Sequence, residues 1–309
     1  MADVFKEAAY QFRDYKKEYV RISSLCVYRT IIDKHLIPYF QQKDQIDSED
    51  VQKLIRDKIK QGYSQKRVKD RIVVLKRILS FAEKEKRMCN PIKRISFSLK
   101  EERKTILVRS KKDERKLISY LENHFSFENL GILICLQTGL RIGEICGLMW
   151  KDVSIETSEI SINRTIERIY LNEKNRKTAR IISEPKTVNS KRTIPLSSGL
   201  LKIRKPLKKI VNDSFYILTN KEKPIEPRVY RKHFNQVLSL AQVKSIRFHG
   251  LRHTFATRCI ESNANYKAVS SILGHANIST TLNLYVHPNR EEKLKCIESR
   301  LRQIRKGSN

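Results

Sequence analysis

Apolar residues recur every three to four positions through most of the first ninety residues, the spacing of amphipathic helices. Val4 to Tyr19 forms one such stretch. Ser24 stands where it can cap a second run through YRTIIDKHLIPYF, which is predicted to stop around Pro38 because proline has no N–H to continue the ladder. Ser48 precedes a run with acids in its first turn, and Gly62 closes it. Ser64 precedes a longer run whose Val68, Ile72, Leu75 and Leu79 make one apolar stripe, with Pro91 as its end. Four short helices of this kind make a compact bundle.

Residues 92–109 show neither sustained period nor strong turn signals and are highly charged, so they read as an extended linker. A second core begins after them. Ser110 opens the helix KKDERKLISYLEN, and ENLGILICLQTGL is a nearly continuous apolar helix. From Val153 the period changes to two: EISINRTIERIY and ARIISEP alternate isoleucine with polar residues, and KRTIPL follows a reversal at residues 188–190. That alternation predicts a small antiparallel sheet with one buried face. Helices then return, and the last of them carries Leu294, Ile297, Leu301 and Ile304 in a stripe that must be covered by something. The fold expected is mainly α with a small antiparallel β-sheet in the second of two domains. Its divisions are a helical domain over 1–91, the linker 92–109, a second domain over 110–290 and a C-terminal helix over 291–309.

Charge narrows the class of partner. The chain has 64 Lys and Arg against 33 Asp and Glu, a formal net charge of +31, and residues 1–104 and 105–309 carry +11 and +20 of it. Such a field on both halves suits a polyanion, and nucleic acid is the default. The fourth helix concentrates Lys66, Arg67, Lys69, Arg71, Lys76 and Arg77 around its apolar stripe. Basic residues on a helix usually mean only a solvated face; the scarcity of acidic neighbours here favours a DNA-binding one. The six cysteines form no CxxC pair and have no ligand spacing with histidine, which suggests buried thiols in a reducing compartment. With no signal peptide and no apolar run long enough to span a bilayer, the chain reads as soluble and intracellular, without membrane contact.

Four places in the second domain set titratable groups beside apolar segments. In TGLRIGEICGL, Arg141 and Glu144 are spaced to lie on one helical face, where the acid can fix the guanidinium. Lys186 sits in the reversal of SEPKTVNSKRTIPL. In HGLRHTFATRCIES, His249 and Arg252 open a helix, and His253 stands four residues after His249. That spacing resembles the zinc motif HExxH, but glycine replaces its glutamate, and no metal site is expected. In LGHANISTTLNLYVHP, His275 is followed ten residues on by Tyr285. Each has a bland reading taken alone: a surface ion pair, a solvated loop lysine, the end of a buried helix, a core tyrosine.

Together they describe a reaction. Two guanidinium forks suit the non-bridging oxygens of a phosphate, lysine and histidine move protons, and a tyrosine can attack phosphorus and keep its bond energy in a covalent ester. The set Arg141, Lys186, His249-Gly-Leu-Arg252, Leu-Gly-His275 and Tyr285 resembles that of the tyrosine recombinase, or phage integrase, family. The resemblance implies that Arg141 and Arg252 clamp the scissile phosphate, Lys186 protonates the leaving 5′ oxygen, and His249 acts as general acid/base near the nucleophile. It further implies that His275 binds a phosphate oxygen, Tyr285 becomes the 3′-phosphotyrosine, Glu144 buttresses Arg141, and His253 is structural. No cofactor is implied.

The first domain, with HLIPYF and GYSQKRV, is similar to the core-binding (SAM-like) domain of integrases from conjugative transposons and phages of low-GC bacteria. That likeness implies a two-domain clamp on double-stranded DNA and a homotetramer on two DNA sites. In such an assembly the C-terminal helix docks on a neighbouring protomer, and an accessory DNA-bending or excision factor assists. It also implies the cytoplasm of a bacterium, at the nucleoid. Many such integrases carry an arm-binding domain ahead of this point, so the chain reads as either a simple recombinase or a truncated one. The alternatives are a type IB topoisomerase-like nicking-closing enzyme and a non-catalytic basic DNA-binding protein.

Overall fold

The computed structural model describes residues 3–85, 88–90, 108–172, 177–184, 191–207 and 210–285, together with positions 294, 297, 298 and 300. The chain divides into two compact units, residues 1–104 with 169–179, and residues 105–168 with 180–309. Lys186, Leu301 and Ile304 lie outside the described residues.

Over the described part of residues 1–104 the first unit is helical. Its elements are α1 (Val4–Tyr19), α2 (Ile22–Ile31), α3 (Ile37–Phe40), α4 (Ser48–Lys60) and α5 (Gln65–Lys84). Val68, Ile72, Leu75 and Leu79 are all buried, joining Phe5, Phe12, Leu36, Phe40 and Leu54 in one core. Each buried side chain of this size is worth about 2 kcal/mol. Pro38 does not stop the second helix. A π turn over Ile32–Leu36 widens the backbone, the Ile37 N–H reaches back five residues to the Ile32 carbonyl, and Pro38 then falls in the first turn of α3. There a missing N–H breaks little. Ser24 lies within α2, whose cap position is Arg21, and α4 is capped by Asp47 and Asp50 reciprocally, one residue before the expected serine. The last helix stops at Lys84, short of Pro91; Asn90 then turns back to donate to Ser80 Oγ at 2.7 Å.

The second unit begins as expected, with Ser110 Oγ accepting the Asp113 N–H at 3.0 Å and capping α6 (Lys111–Asn123). Then come α7 (Phe127–Thr138), ending on left-handed Gly139, and α8 (Ile142–Gly147). Five strands follow along the chain: β1 (Val153–Ser154), β2 (Glu159–Ile162), β3 (Thr165–Asn172), β4 (Lys177–Ser183) and β5 (Arg192–Pro195), with residues 169–179 of β3 and β4 grouped in the first unit. Helices α9 (Ser198–Leu207), α10 (Pro227–Leu240), α11 (His249–Glu261), α12 (Tyr266–Leu273) and α13 (Ile278–Tyr285) complete the second unit. Its core is built around Trp150, Tyr230 and Phe234.

The β region differs from the single sheet expected. The described strands form an antiparallel β1-β2-β5 sheet and a separate β3-β4 pair. The alternating run breaks at Asn163 and Arg164 because both side chains turn to the buried carboxylate of Asp152, Asn163 Nδ2 at 3.2 Å from Oδ1 and Arg164 Nη1 bonded to Oδ2. In the first sheet β5 lies beside β2, with Arg192 opposite Ile162 and Ile194 opposite Ile160. Parity then puts Arg192 on the buried face.

Candidate active site

Three arginines from three separate elements meet the end of one short helix. The carbonyls of the last turn of a helix have no intrahelical partner and form its negative pole. At the end of α12 the Ile272 carbonyl accepts from Arg192 Nε at 2.6 Å, the Leu273 carbonyl from Arg252 Nη2 at 2.7 Å, and the Gly274 carbonyl from Arg141 Nη2 at 3.3 Å. Gly274 makes this possible by turning left-handed, φ 64°. The three guanidiniums are thereby gathered beside His275.

Opposite them is one carboxylate. Glu144, 3% exposed, accepts from the Arg141 backbone N–H at 2.9 Å and Arg141 Nη1 at 2.8 Å, and from Arg192 Nη1 and Nη2 at 3.1 and 3.0 Å. Burial works to raise its pKa, but the bonds and charges of Arg192 and then Arg141 outweigh it and hold the carboxyl below its usual value. The start of α8 presses so closely on β3 that a Cβ at Gly143 would lie 2.7 Å from the Ile166 carbonyl oxygen, which sets where Arg141 stands. Replacing Arg192 by alanine leaves Glu144 buried with half its partners, and should cost about 3 to 5 kcal/mol of unfolding free energy in chemical denaturation. A loss below about 1 kcal/mol would show that water or Arg141 replaces it fully.

Arg252 is 2% exposed and its other bonded nitrogen, Nη1, donates to the Gly139 carbonyl at 3.0 Å. Burial first, and then repulsion from Arg141, lowers its pKa to about 9. Arg141 and Arg192 thus share one carboxylate while Arg252 is held by two carbonyls, and the excess positive charge calls for an anion.

Tyr285 fills the small core formed with Ala256, Val269 and Leu273, so its ring does serve packing. Its hydroxyl, however, lies 2.7 Å from His253 Nδ1. One turn earlier on the same face of α13, Thr281 Oγ1 meets His275 Nδ1 at 2.8 Å. The helix carrying the tyrosine therefore docks on both α11 and the residue after α12. Burial raises the Tyr285 pKa, while Arg252 and Arg141 act against the rise. Burial and then the arginines push His275 down to about 4. Burial first, and then His253, Arg252 and Arg141, push His249 down to about 4 as well. These histidines are neutral at pH 7.

Of the basic residues on α5, Lys66, Arg67, Lys69, Lys76 and Arg77 are exposed. Arg71 is not. It is 7% exposed, with Nη2 2.8 Å from His35 Nε2 and its guanidinium 4.3 Å from the centre of the Tyr63 ring. The position beside Ile72 turns it into the bundle and away from the exposed face. Arg192 is the site residue that sequence reasoning passed over, and His253 the one that the family resemblance set aside as structural.

The phage integrase family profile matches residues 108–292, and that of the phage integrase N-terminal SAM-like domain matches residues 4–59. The chain belongs to the phage integrase family. This integrase is 31% identical over 277 residues to a "Tyrosine recombinase XerC-like" protein of Caldanaerobacter subterraneus subsp. tengcongensis, covering 82% of this chain and 70% of that one. It is 24% identical to the ICEBs1 integrase of Bacillus subtilis, over 85% of this chain and 74% of the relative. Among solved structures, the Tn1549 transposon integrase in complex with transposon right end DNA has the same fold, at a TM-score of 0.78 and 21% identity over 94% of this chain and 98% of that one. The integrase is a tyrosine-type site-specific recombinase. Among its described residues no helix is long and apolar enough to cross a membrane.

Proposed function

We propose that this recombinase cuts and rejoins double-stranded DNA through Tyr285 in the integration or excision of a mobile element. The observation that carries the reading is a phenol docked within its own chain beside three arginines, two of them sharing one carboxylate and the third held by two main-chain carbonyls. Arg141 and Arg252 hold the scissile phosphate and stabilise the charge that builds on it, Glu144 and the end of α12 keep their forks in place, and His275 donates to a phosphate oxygen. Attack by Tyr285 forms the 3′-phosphotyrosine, and the ammonium of Lys186 protonates the departing 5′ oxygen. His249, open to water on one side, exchanges protons at the phosphate. The exposed basic residues of α5 and the charge of +31 supply the remaining affinity for the duplex.

Incubating the protein in EDTA with a pool of nicked element-end duplexes should give a protein-linked band on a denaturing gel, and sequencing the trapped DNA would name the site. Binding without any such band, across a pool shown to contain the site by footprinting, would defeat the proposal. The family match favours recombination over simple nicking and closing.

The proposal extends to a tetramer on two DNA sites, supported by Leu294 and Ile297, which are 53% and 59% exposed on the isolated chain. Two such residues on one stripe want a cover. Deleting residues 292–309 should abolish assembly of paired sites in native gels while sparing binding to one site; unchanged pairing would remove this part. A DNA-bending or excision factor rests on the family resemblance alone.

A further inference from the structure

The phenol of Tyr285 must lose a proton to attack phosphorus, and a tyrosine with a pKa of about 10 does not do so unaided near neutrality. Burial raises this one further. The family resemblance implies His249 as the nearby acid/base, yet the hydroxyl is hydrogen-bonded to His253 Nδ1, one helical turn on. The His249 ring stands edge-on to the His253 ring, centroids 4.7 Å apart. His253 therefore contacts a reacting atom.

We propose that His253 Nδ1 takes the proton of Tyr285 as the phenolic oxygen attacks phosphorus and returns it when the strand is resealed. This rests on Tyr285 being the nucleophile. In the forward step the Tyr285 O–P bond forms and the P–O5′ bond breaks; the phenolic proton passes to His253, and the 5′ oxygen receives one from Lys186. In the reverse step the 5′ hydroxyl attacks, its proton goes back to the lysine amine, and the imidazolium gives its proton to the departing phenolate. Charge and protons balance without any further reactant.

The groups facing His253 are Tyr285 from α13 and His249 and Arg252 from its own helix. Burial first, and then the positive charge of Arg252, hold the imidazole below its usual pKa, so at neutral pH it is unprotonated. In the Nε2–H tautomer its Nδ1 lone pair accepts the phenolic hydrogen. A phosphate on Arg252 cancels the nearest cation and makes His253 a better base. The nucleophile is then activated by the group it is about to attack, and stays protonated before DNA arrives.

The test uses the full chain, the duplex recovered by covalent trapping, and two variants: H253A, and H253N, whose amide keeps a polar group towards the phenol but cannot take its proton. Single-turnover cleavage is followed from roughly pH 5.5 to 9, on duplexes carrying the ordinary 5′ oxygen or a bridging sulfur, which departs without needing a proton. Both variants should bind like wild type yet cleave about 100-fold or more slowly. Sulfur should not relieve the deficit, and the variant rates should climb with pH where the wild-type rate has levelled. Added imidazole should restore part of the activity of H253A.

Cleavage by H253N within about threefold of wild type would reduce His253 to a positioning residue and overturn the proposal. So would a deficit erased by sulfur, which would tie the histidine to the leaving group, or a pH profile that keeps its wild-type shape. If wild type and Y285F gave the same adduct, the underlying assignment of the nucleophile would fail and this proposal with it, an outcome visible in a separate lane.

Discussion

Changing Tyr285 to phenylalanine should remove the covalent DNA adduct altogether while leaving DNA binding and the fold nearly intact. The ring packs against Ala256, Val269 and Leu273, and phenylalanine preserves every one of those contacts. What is lost is the hydroxyl and its bond to His253, worth about 1 kcal/mol of stability. Chemistry and packing are thus separable at this residue, as they are not at the buried arginines. A denaturing gel of wild type and variant on a nicked duplex should show the protein-linked band for wild type alone, with equal gel shifts under native conditions. An adduct of undiminished intensity in Y285F would mean that another nucleophile acts.

Changing Arg252 to lysine should slow cleavage about a thousandfold or more, since single donors to a developing oxyanion are already worth 10² to 10³. The guanidinium divides its nitrogens between two fixed carbonyls, those of Gly139 and Leu273, which set the plane of the fork and leave it aimed. An ammonium is a point charge on a flexible stem, and it cannot hold two carbonyls and a phosphate in one plane. Single-turnover rates at saturating protein isolate the chemical step from affinity. A loss smaller than about tenfold would show that the charge alone suffices and that the planar fork is dispensable.

Much of the helical pattern was legible from spacing. The apolar stripe of α5, the serine caps of α6 and α5 by position, and the left-handed glycine after α7 follow from local chemistry, and local chemistry is what a sequence displays. The misreadings have non-local causes. Pro38 passed into a helix because a π turn two residues earlier absorbs it, and the alternating run divided because Asp152, eleven residues before Asn163, draws two side chains off the sheet. Within the site, Arg141 and Glu144 were visible as an i, i+3 pair. Arg192 was not, since its contact with Glu144 spans 48 residues, although its parity with Ile194 was a usable sign of inward orientation. His253 was noticed for its spacing and set aside as structural; only the docking of α13 brings it to the phenol.

The end of α12 has a consequence for how this protein tolerates substitution. The acceptors that gather Arg141, Arg192 and Arg252 are main-chain oxygens of Ile272, Leu273 and Gly274, and no exchange of side chains at 272 or 273 can delete them. Drift in those side chains alters packing but not the identity of the anchors. Vulnerability is concentrated in Gly274, where φ is 64° and any β-branched replacement would turn the last carbonyl away. The three gathered cations are thus insured against most single-codon changes around them, with one backbone torsion as the uninsured point.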